Sequence, residues 1–384
     1  MAAFTGQLNS NEIYGSIYNM IISQQVFADN IKGTKSTLVD MARVDGSMYG
    51  DTKLYYSTDA LRSYKWGADA EAANLLKLYR PKDPKCQAIE LDIFRQIPLT
   101  VDNYLTKRAW STEGAFSQFN SVMLGWIRTT KRVYDSTTYN TFIGTTVSEK
   151  AAENISVNVT AAVEGLSGEE KARVEASVIA EAIANLLVNL EDISREYNDY
   201  GHLRSYEASD LIFAWNSAAV TKIEKRDLPT IYHKEIMDKF GEFTLPGRYF
   251  GTVGTAAIAM AANDGTKRST KEADYATAAN AAVTHVFAGD LIPSKTALVT
   301  ELNDDGTAKS ISAGIAAGDY YTEDKSILFK VYHRAPNSVP YMSAFEVGTS
   351  FFNPKSLTEN HYLTWGHNTL EYLKNYPFIT VKQA

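Results

Sequence analysis

The chain has 384 residues with 38 Lys and Arg against 45 Asp and Glu, a formal charge of -7, which argues against a surface devoted to wrapping nucleic acid while leaving room for a local basic face. Apolar residues make up 45% and charged residues 22%, so a sizeable core can form, and the length suits one elaborated domain or two to three modules. The single cysteine, Cys86, excludes an internal disulfide and a cysteine-built zinc site and fits a reducing interior.

The start, MAAFTGQLNS, carries no basic residue and no apolar run, so no signal peptide is expected. The longest small-apolar run, AAIAMAA at 256–262, is far short of the ~20 residues of a membrane span. In residues 1–33, Ile13, Ile17, Met20 and Ile21 recur at helical spacing, followed by Val26 and Phe27. Such an arm has little to pack on locally and is expected to lie on another part of the protein or on a neighbour. Residues 34–85 show no apolar period, and SYKWGADA (63–70) and RPKDPK (80–85) read as exposed turn material.

IELDIFRQIPLTV (89–101) follows, with apolar side chains at positions 89, 91, 93, 97, 99 and 101 and only Arg95 interrupting the row. Alternation over this length predicts a half-buried strand reaching ~43 Å. KLYYS (53–57) is the expected antiparallel partner, giving a projecting two-stranded ribbon that needs something to lie on. A helix of ~46 Å is predicted next, from a capping pattern at Ser111, Thr112 and Glu113 to a stop at Gly144. Phe116, Phe119, Met123, Trp126, Ile127, Val133 and Tyr134 form its apolar stripe. A second helix is predicted over 168–197, burying Val174, Val178, Ile183, Leu186, Leu187, Leu190 and Ile193. DLIFAWN (210–216) reads as a buried strand before a short helix at SAAVTKIEK. Strands are expected at THVF (284–287), ALVTEL (297–302), SILFKVYHR (326–334) and FITV (378–381), a turn at NDDG (303–306), and a short helix at NTLEYLKNY (368–376).

Chemistry-bearing patterns are sparse. The six histidines, at 202, 233, 285, 333, 361 and 367, form no metal-binding spacing, and His361 and His367 on one strand stand ~20 Å apart. Gly247, Gly251 and Gly254 in GRYFGTVG do not fit a dinucleotide fingerprint, and Cys86 reads as an inert strand thiol. Arg128, Lys131 and Arg132 make a basic patch on the long helix, suited to weak phosphate contacts if that face meets DNA. No catalytic, cofactor-binding or metal residue is expected. Tyr, Phe and Trp number 23, 16 and 5, an abundance that suits subunit contacts as much as a core. The crowded segment 341–368 reads as returning sheet strands beside the long helix, its Tyr, Phe and Asn side chains serving packing and neighbour contacts.

The order of these parts resembles the major capsid proteins of tailed bacteriophages, the Hong Kong 97-type fold. The helix closing on YNTFIGTT (139–146), the 168–197 helix leading into DLIFAWNSAAVTKI, and SILFKVYHR followed by ENHYLTWGHNTLEYLKNYPFITVK carry the likeness, which spans nearly the whole chain. It implies an α+β fold with an N-terminal arm (1–33), an extended loop (34–108), a peripheral domain with a spine helix (109–160 and 325–366) and an axial domain (161–324 and 367–384). The stretch 241–290 looks like an elaboration, and without a charged helical N-terminal extension a separate scaffolding protein, or none, is implied. Some members cross-link a loop lysine to a neighbour's asparagine; Lys53, Lys65, Lys82 and Lys85 lie in the loop, but no reactive pair is identified.

The resulting reading is a major capsid protein, not an enzyme. It self-assembles through hexamers and pentamers into an icosahedral shell, with the ribbon and its 89–101 row buried across neighbours. Its implied partners are copies of itself, portal and scaffolding proteins and packaged double-stranded DNA, with no cofactor and no membrane. Its place is the virion, assembled in the host cytoplasm. The alternatives are an encapsulin-like nanocompartment shell and a soluble oligomeric α/β enzyme with a site around His333, His361 and His367.

Overall fold

The computed structural model describes residues 37–45, 50–63, 78–102, 113–219, 241–255, 285–286, 320–334 and 338–384. In chain order the elements are α1 (Thr37–Ala42), β1 (Arg43–Asp45), β2 (Thr52–Ser57), β3 (Lys85–Asp102), α2 (Glu113–Thr145), β4 (Asn154–Val157), α3 (Val159–Ala162), α4 (Gly168–Glu191), β5 (Leu211–Asn216), β6 (Gly241–Leu245), β7 (Gly251–Val253), β8 (His285–Val286), β9 (Tyr320–Glu323), β10 (Ile327–His333), β11 (Tyr341–Asn353), β12 (Thr358–Asn368) and β13 (Phe378–Gln383). The chain forms two compact units. Unit 1 takes residues to Asp51, Leu91–Thr137 and Met342–Thr369, and unit 2 takes Thr52–Glu90, Thr138–Tyr341 and Leu370–Ala384.

In unit 1 the strands run in the order β1-β11-β12-β3. β12 pairs antiparallel with both neighbours, setting Tyr362 opposite Pro98 on β3 and Thr349 on β11. Ile127 of α2 packs with Leu363 and Trp365 of β12, and Ile97, Leu99 and Tyr134 close around them. Part of the row at 89–101 is covered from within the chain: Ile89, Leu91 and Val101 are buried, while Ile93, Ile97 and Leu99 stay half-buried. The expectation that neighbours bury the row is corrected for the three buried residues, which are covered within the chain. The pairing skips a residue between His367 and Asn368, and the freed Asp92 carboxylate accepts from the Thr369 amide (2.8 Å) and hydroxyl (2.6 Å).

Unit 2 is built on a mixed sheet, β4-β13-β10-β5-β6, with β10 antiparallel to β13 and β5, and β4 and β6 added in parallel. Phe213, Trp215, Phe329, Val331, Ile379 and Val381 form one core with Ile179, Ile183, Leu186 and Leu190 of α4. Burying that many large apolar side chains, at about 1.5–3 kcal/mol each, is the main stabilisation available to the unit. Lys330 sits between Phe329 and Val331 and turns to the opposite face. There its Nζ donates to the Thr146 carbonyl (2.7 Å) and the Thr380 hydroxyl (2.8 Å). β7, β9 and β8 make a small second sheet.

Several expectations change at this level. SILFKVYHR, which the resemblance groups with the spine helix, forms a strand as expected and is the central one of unit 2's sheet. KLYYS pairs only with the first residues of the long strand, Lys53 opposite Ile89 and Ser57 opposite Lys85. NTLEYLKNY forms no helix. The second helix ends at Glu191, so Ile193 is exposed rather than in its buried row. The arm at 1–33, the cap at Ser111 and Thr112, the strand at 297–302 and the turn at 303–306 lie outside the described residues, as do the side chains of Phe116, Phe119 and Met123.

Candidate assembly surfaces

β11 and β12 form a hairpin whose end carries exposed apolar side chains on both faces. Phe351 and Phe352 are adjacent in β11, so they point to opposite faces, yet they are 62% and 51% exposed. Val347 and Leu357 are exposed beside them. The turn between the strands is held by the Lys355 amide donating to Asn353 Oδ1 (3.0 Å) and by a Ser356–Thr358 hydroxyl contact (2.7 Å). Leu357 sits there at φ 54, in the left-handed region, a conformation that costs a non-glycine residue roughly 1–2 kcal/mol. A branched apolar side chain in such a place gains nothing for the subunit alone.

The second surface surrounds the loop-side end of the β2–β3 ribbon in unit 2, where Leu54, Tyr56, Leu61, Leu78 and Tyr79 are exposed. That end is clasped from within the unit. Asp59 accepts from Arg195 (2.7 Å) and from the Leu203 amide (3.0 Å), and Arg195, with that amide, holds its carboxyl well below the usual carboxylate range. Arg204 donates to the Thr58 carbonyl (2.8 Å), and the Ser57 hydroxyl lies 3.4 Å from His202 Nδ1. Gln87 of β3 bonds the Tyr372 carbonyl and the Lys374 amide. Periodicity carries no trace of these side-chain-to-loop bonds, which join positions more than a hundred residues apart.

The side chains singled out in the sequence fall apart into separate environments. His367 is buried in unit 1: Nδ1 donates to the Asn368 carbonyl (2.8 Å), leaving Nε2 to accept from the Tyr134 hydroxyl (3.0 Å), which in turn accepts from Arg95 Nε (3.2 Å). Burial lowers its pKa below the ordinary histidine value. His361 lies on the same strand near Glu359 (3.8 Å), and His333, in unit 2, packs at a tilt against the Tyr376 ring. His233 and the side chain of His285 lie outside the described residues. Among the described residues no group of three or more His, Cys, Asp or Glu is placed to hold a metal ion.

The basic patch is also revised. Lys131 is buried, pairs with Asp135 (3.2 Å) and lies over the Trp365 ring, while Arg43 reaches the same carboxylate (3.2 Å). Only Arg128 and Arg132 remain on the exposed face. Of the loop lysines, Lys82 lies 3.5 Å from Asp59 and Lys85 is exposed; Lys65 is outside the described residues. Gly251 serves packing: a Cβ there would come 2.5 Å from the Thr322 carbonyl oxygen across the β7–β9 pair.

No curated protein matches the chain. Among solved structures, a chain of the capsid of Staphylococcus phage Andhra is similar at 10% identity, covering 92% of this chain and 84% of that one with a TM-score of 0.57. A chain from the structure of the head fiber and inner core protein gp22 of bacteriophage P68 is similar at 10% identity, covering 89% and 83%, also with a TM-score of 0.57. The fold is thus the tailed-phage capsid fold of Hong Kong 97 type, as the order of elements implies. A family model describing the Phi29-like phage major capsid protein matches residues 2–380. That supports a structural head protein over both the nanocompartment shell and the enzyme. The chain belongs to the family of Phi29-like phage major capsid proteins.

Proposed function

We propose that this capsid protein assembles through hexamers and pentamers into an icosahedral shell enclosing double-stranded phage DNA. The observation that carries the reading is the hairpin end of unit 1. Phe351, Phe352 and Leu357 are exposed there and Leu357 is held at positive φ, a costly arrangement that burial against a second copy would repay. The exposed aromatic and leucine residues at the loop-side end of the ribbon in unit 2 offer a second apolar surface, so unlike surfaces on copies of one chain can meet head to tail and close into rings. In this reading unit 1 is the peripheral part of the subunit and unit 2 the axial part. Arg128 and Arg132, exposed on α2, supply sparse and sequence-independent phosphate contacts. A scaffolding protein and a portal complete the head, which assembles in the bacterial cytoplasm before becoming part of the virion.

Electron microscopy of the expressed chain, alone and with the products of adjacent genes, tests this directly. Closed shells with pentameric and hexameric units are the expected product, and nuclease-protected DNA inside them separates a head from a protein-filled compartment. Small discrete oligomers under every condition would sink the proposal.

A further inference from the structure

Unit 2 contains a buried acid whose nearby ammonium, Lys150, is turned to other partners. Glu153 closes a short 3-10 turn before β4, is 0% exposed, and neither carboxyl oxygen has a hydrogen-bond partner among the described residues. The groups around it are known from each side. Its own segment brings Ser148 and Lys150, the 192–206 loop brings Asp199 and the hydroxyls of Tyr197 and Tyr206, and β13 brings the Phe378 amide. The Lys150 ammonium is engaged elsewhere, donating to the carbonyls of Arg195 and Asn198. Asp199 is held by the Ser148 hydroxyl (3.1 Å) and the Tyr372 hydroxyl (2.5 Å), which leaves a second carboxylate beside the first. Burial above all, with Asp199 adding to it, raises the Glu153 pKa to about 7, with Ser148, the Phe378 amide and Lys150 opposing.

The loop that brings Asp199, Tyr197 and Tyr206 to this acid is the one that clasps the ribbon. Arg195, Leu203 and Arg204 hold Asp59 and Thr58, and His202 meets Ser57. We propose that Glu153 is a proton-operated latch: protonated, it lets the 192–206 loop close and grip the loop-side end of the β2–β3 ribbon; ionised, it forces the loop open and releases that end. The proton passes to solvent, and the exposed carboxylate gains the hydration it lacks when covered. The latch lies wholly in unit 2 and does not depend on which shell the protein builds.

Hydrogen exchange followed by mass spectrometry on the full-length chain, at about pH 6 and about pH 8.5 after correction for intrinsic rates, reads the opening directly. A shift from the ordinary glutamate value in the open loop to about 7 in the closed one implies about tenfold more opening at the higher pH. That increase is expected in peptides covering 192–206 and 57–62, while α4 peptides over 172–190 stay protected. Glu153→Gln, isosteric with the protonated acid, should abolish the step, and Glu153→Met serves the same purpose if the amide variant does not fold. Equal pH dependence in wild type and variant overturns the latch. So does wild-type loss of protection that runs in step through the loop and α4, a comparison that needs no variant.

Discussion

A leucine at positive φ, a glycine under a carbonyl and a lysine in an apolar strand show how single residues shape this subunit. Leu357→Asn keeps the turn but suits the left-handed backbone, so chemical denaturation should show a subunit about 1 kcal/mol more stable while assembly weakens. Gly144 lies in the last turn of α2, where a Cβ would meet the Tyr249 carbonyl oxygen at 2.1 Å. Alanine favours a helix over glycine by about 1 kcal/mol, but relieving that contact requires moving backbone, so Gly144→Ala should lose about 2–3 kcal/mol in urea denaturation. Burial lowers the Lys330 pKa to about 7, with Lys382 adding to the effect and Asp324 opposing it. The unfolded chain therefore binds more protons between about pH 7 and the ordinary lysine value, and stability rises with pH across that window. Between about pH 7 and pH 9.5 the gain should be on the order of 3 kcal/mol, and Lys330→Met should flatten it.

The elements were legible to different degrees, and for physical reasons. α2, α4, β5 and β3 announce themselves because each has a sustained apolar period against a core, and β12 lies beside α2 as the place of 341–368 in the chain order implies. Which strand β3 pairs with is not written in its alternation, since pattern fixes a face and not an edge. NTLEYLKNY has helical spacing, but its backbone is claimed by distant partners: the Leu373 amide donates to the Ser338 carbonyl, the Lys374 amide to Gln87 Oε1, and the Tyr372 carbonyl accepts from Gln87. Those bonds outweigh a marginal two-turn helix. The buried row of α2, with Ile127, Lys131, Asp135, Tyr139 and Ile143 at four-residue spacing, hides a lysine the sequence assigns to a basic face. α2 is tied to β12 by the Tyr134 hydroxyl, which serves both Arg95 and His367. Tyr134→Phe should therefore cost about 1–2 kcal/mol in denaturant unfolding, without loss of helical circular dichroism.

For the whole molecule, assembly and subunit stability rest on separable residues. Phe351→Ser with Phe352→Ser removes exposed apolar surface that the subunit does not bury, so its melting should change little. Sedimentation and electron microscopy should then show folded subunits that no longer close into shells. The sequence points to neighbour contacts within 341–368 but not to the side chains that make them, because exposure of an aromatic residue is a property of the finished fold and the same Phe suits a core or a contact equally well. One practical consequence follows from the ribbon. Cys86 is the chain's one cysteine, exposed on β3 opposite Tyr56. A maleimide dye would thus label each subunit once, at the loop-side end of the ribbon, giving a stoichiometric optical reporter without any engineered site.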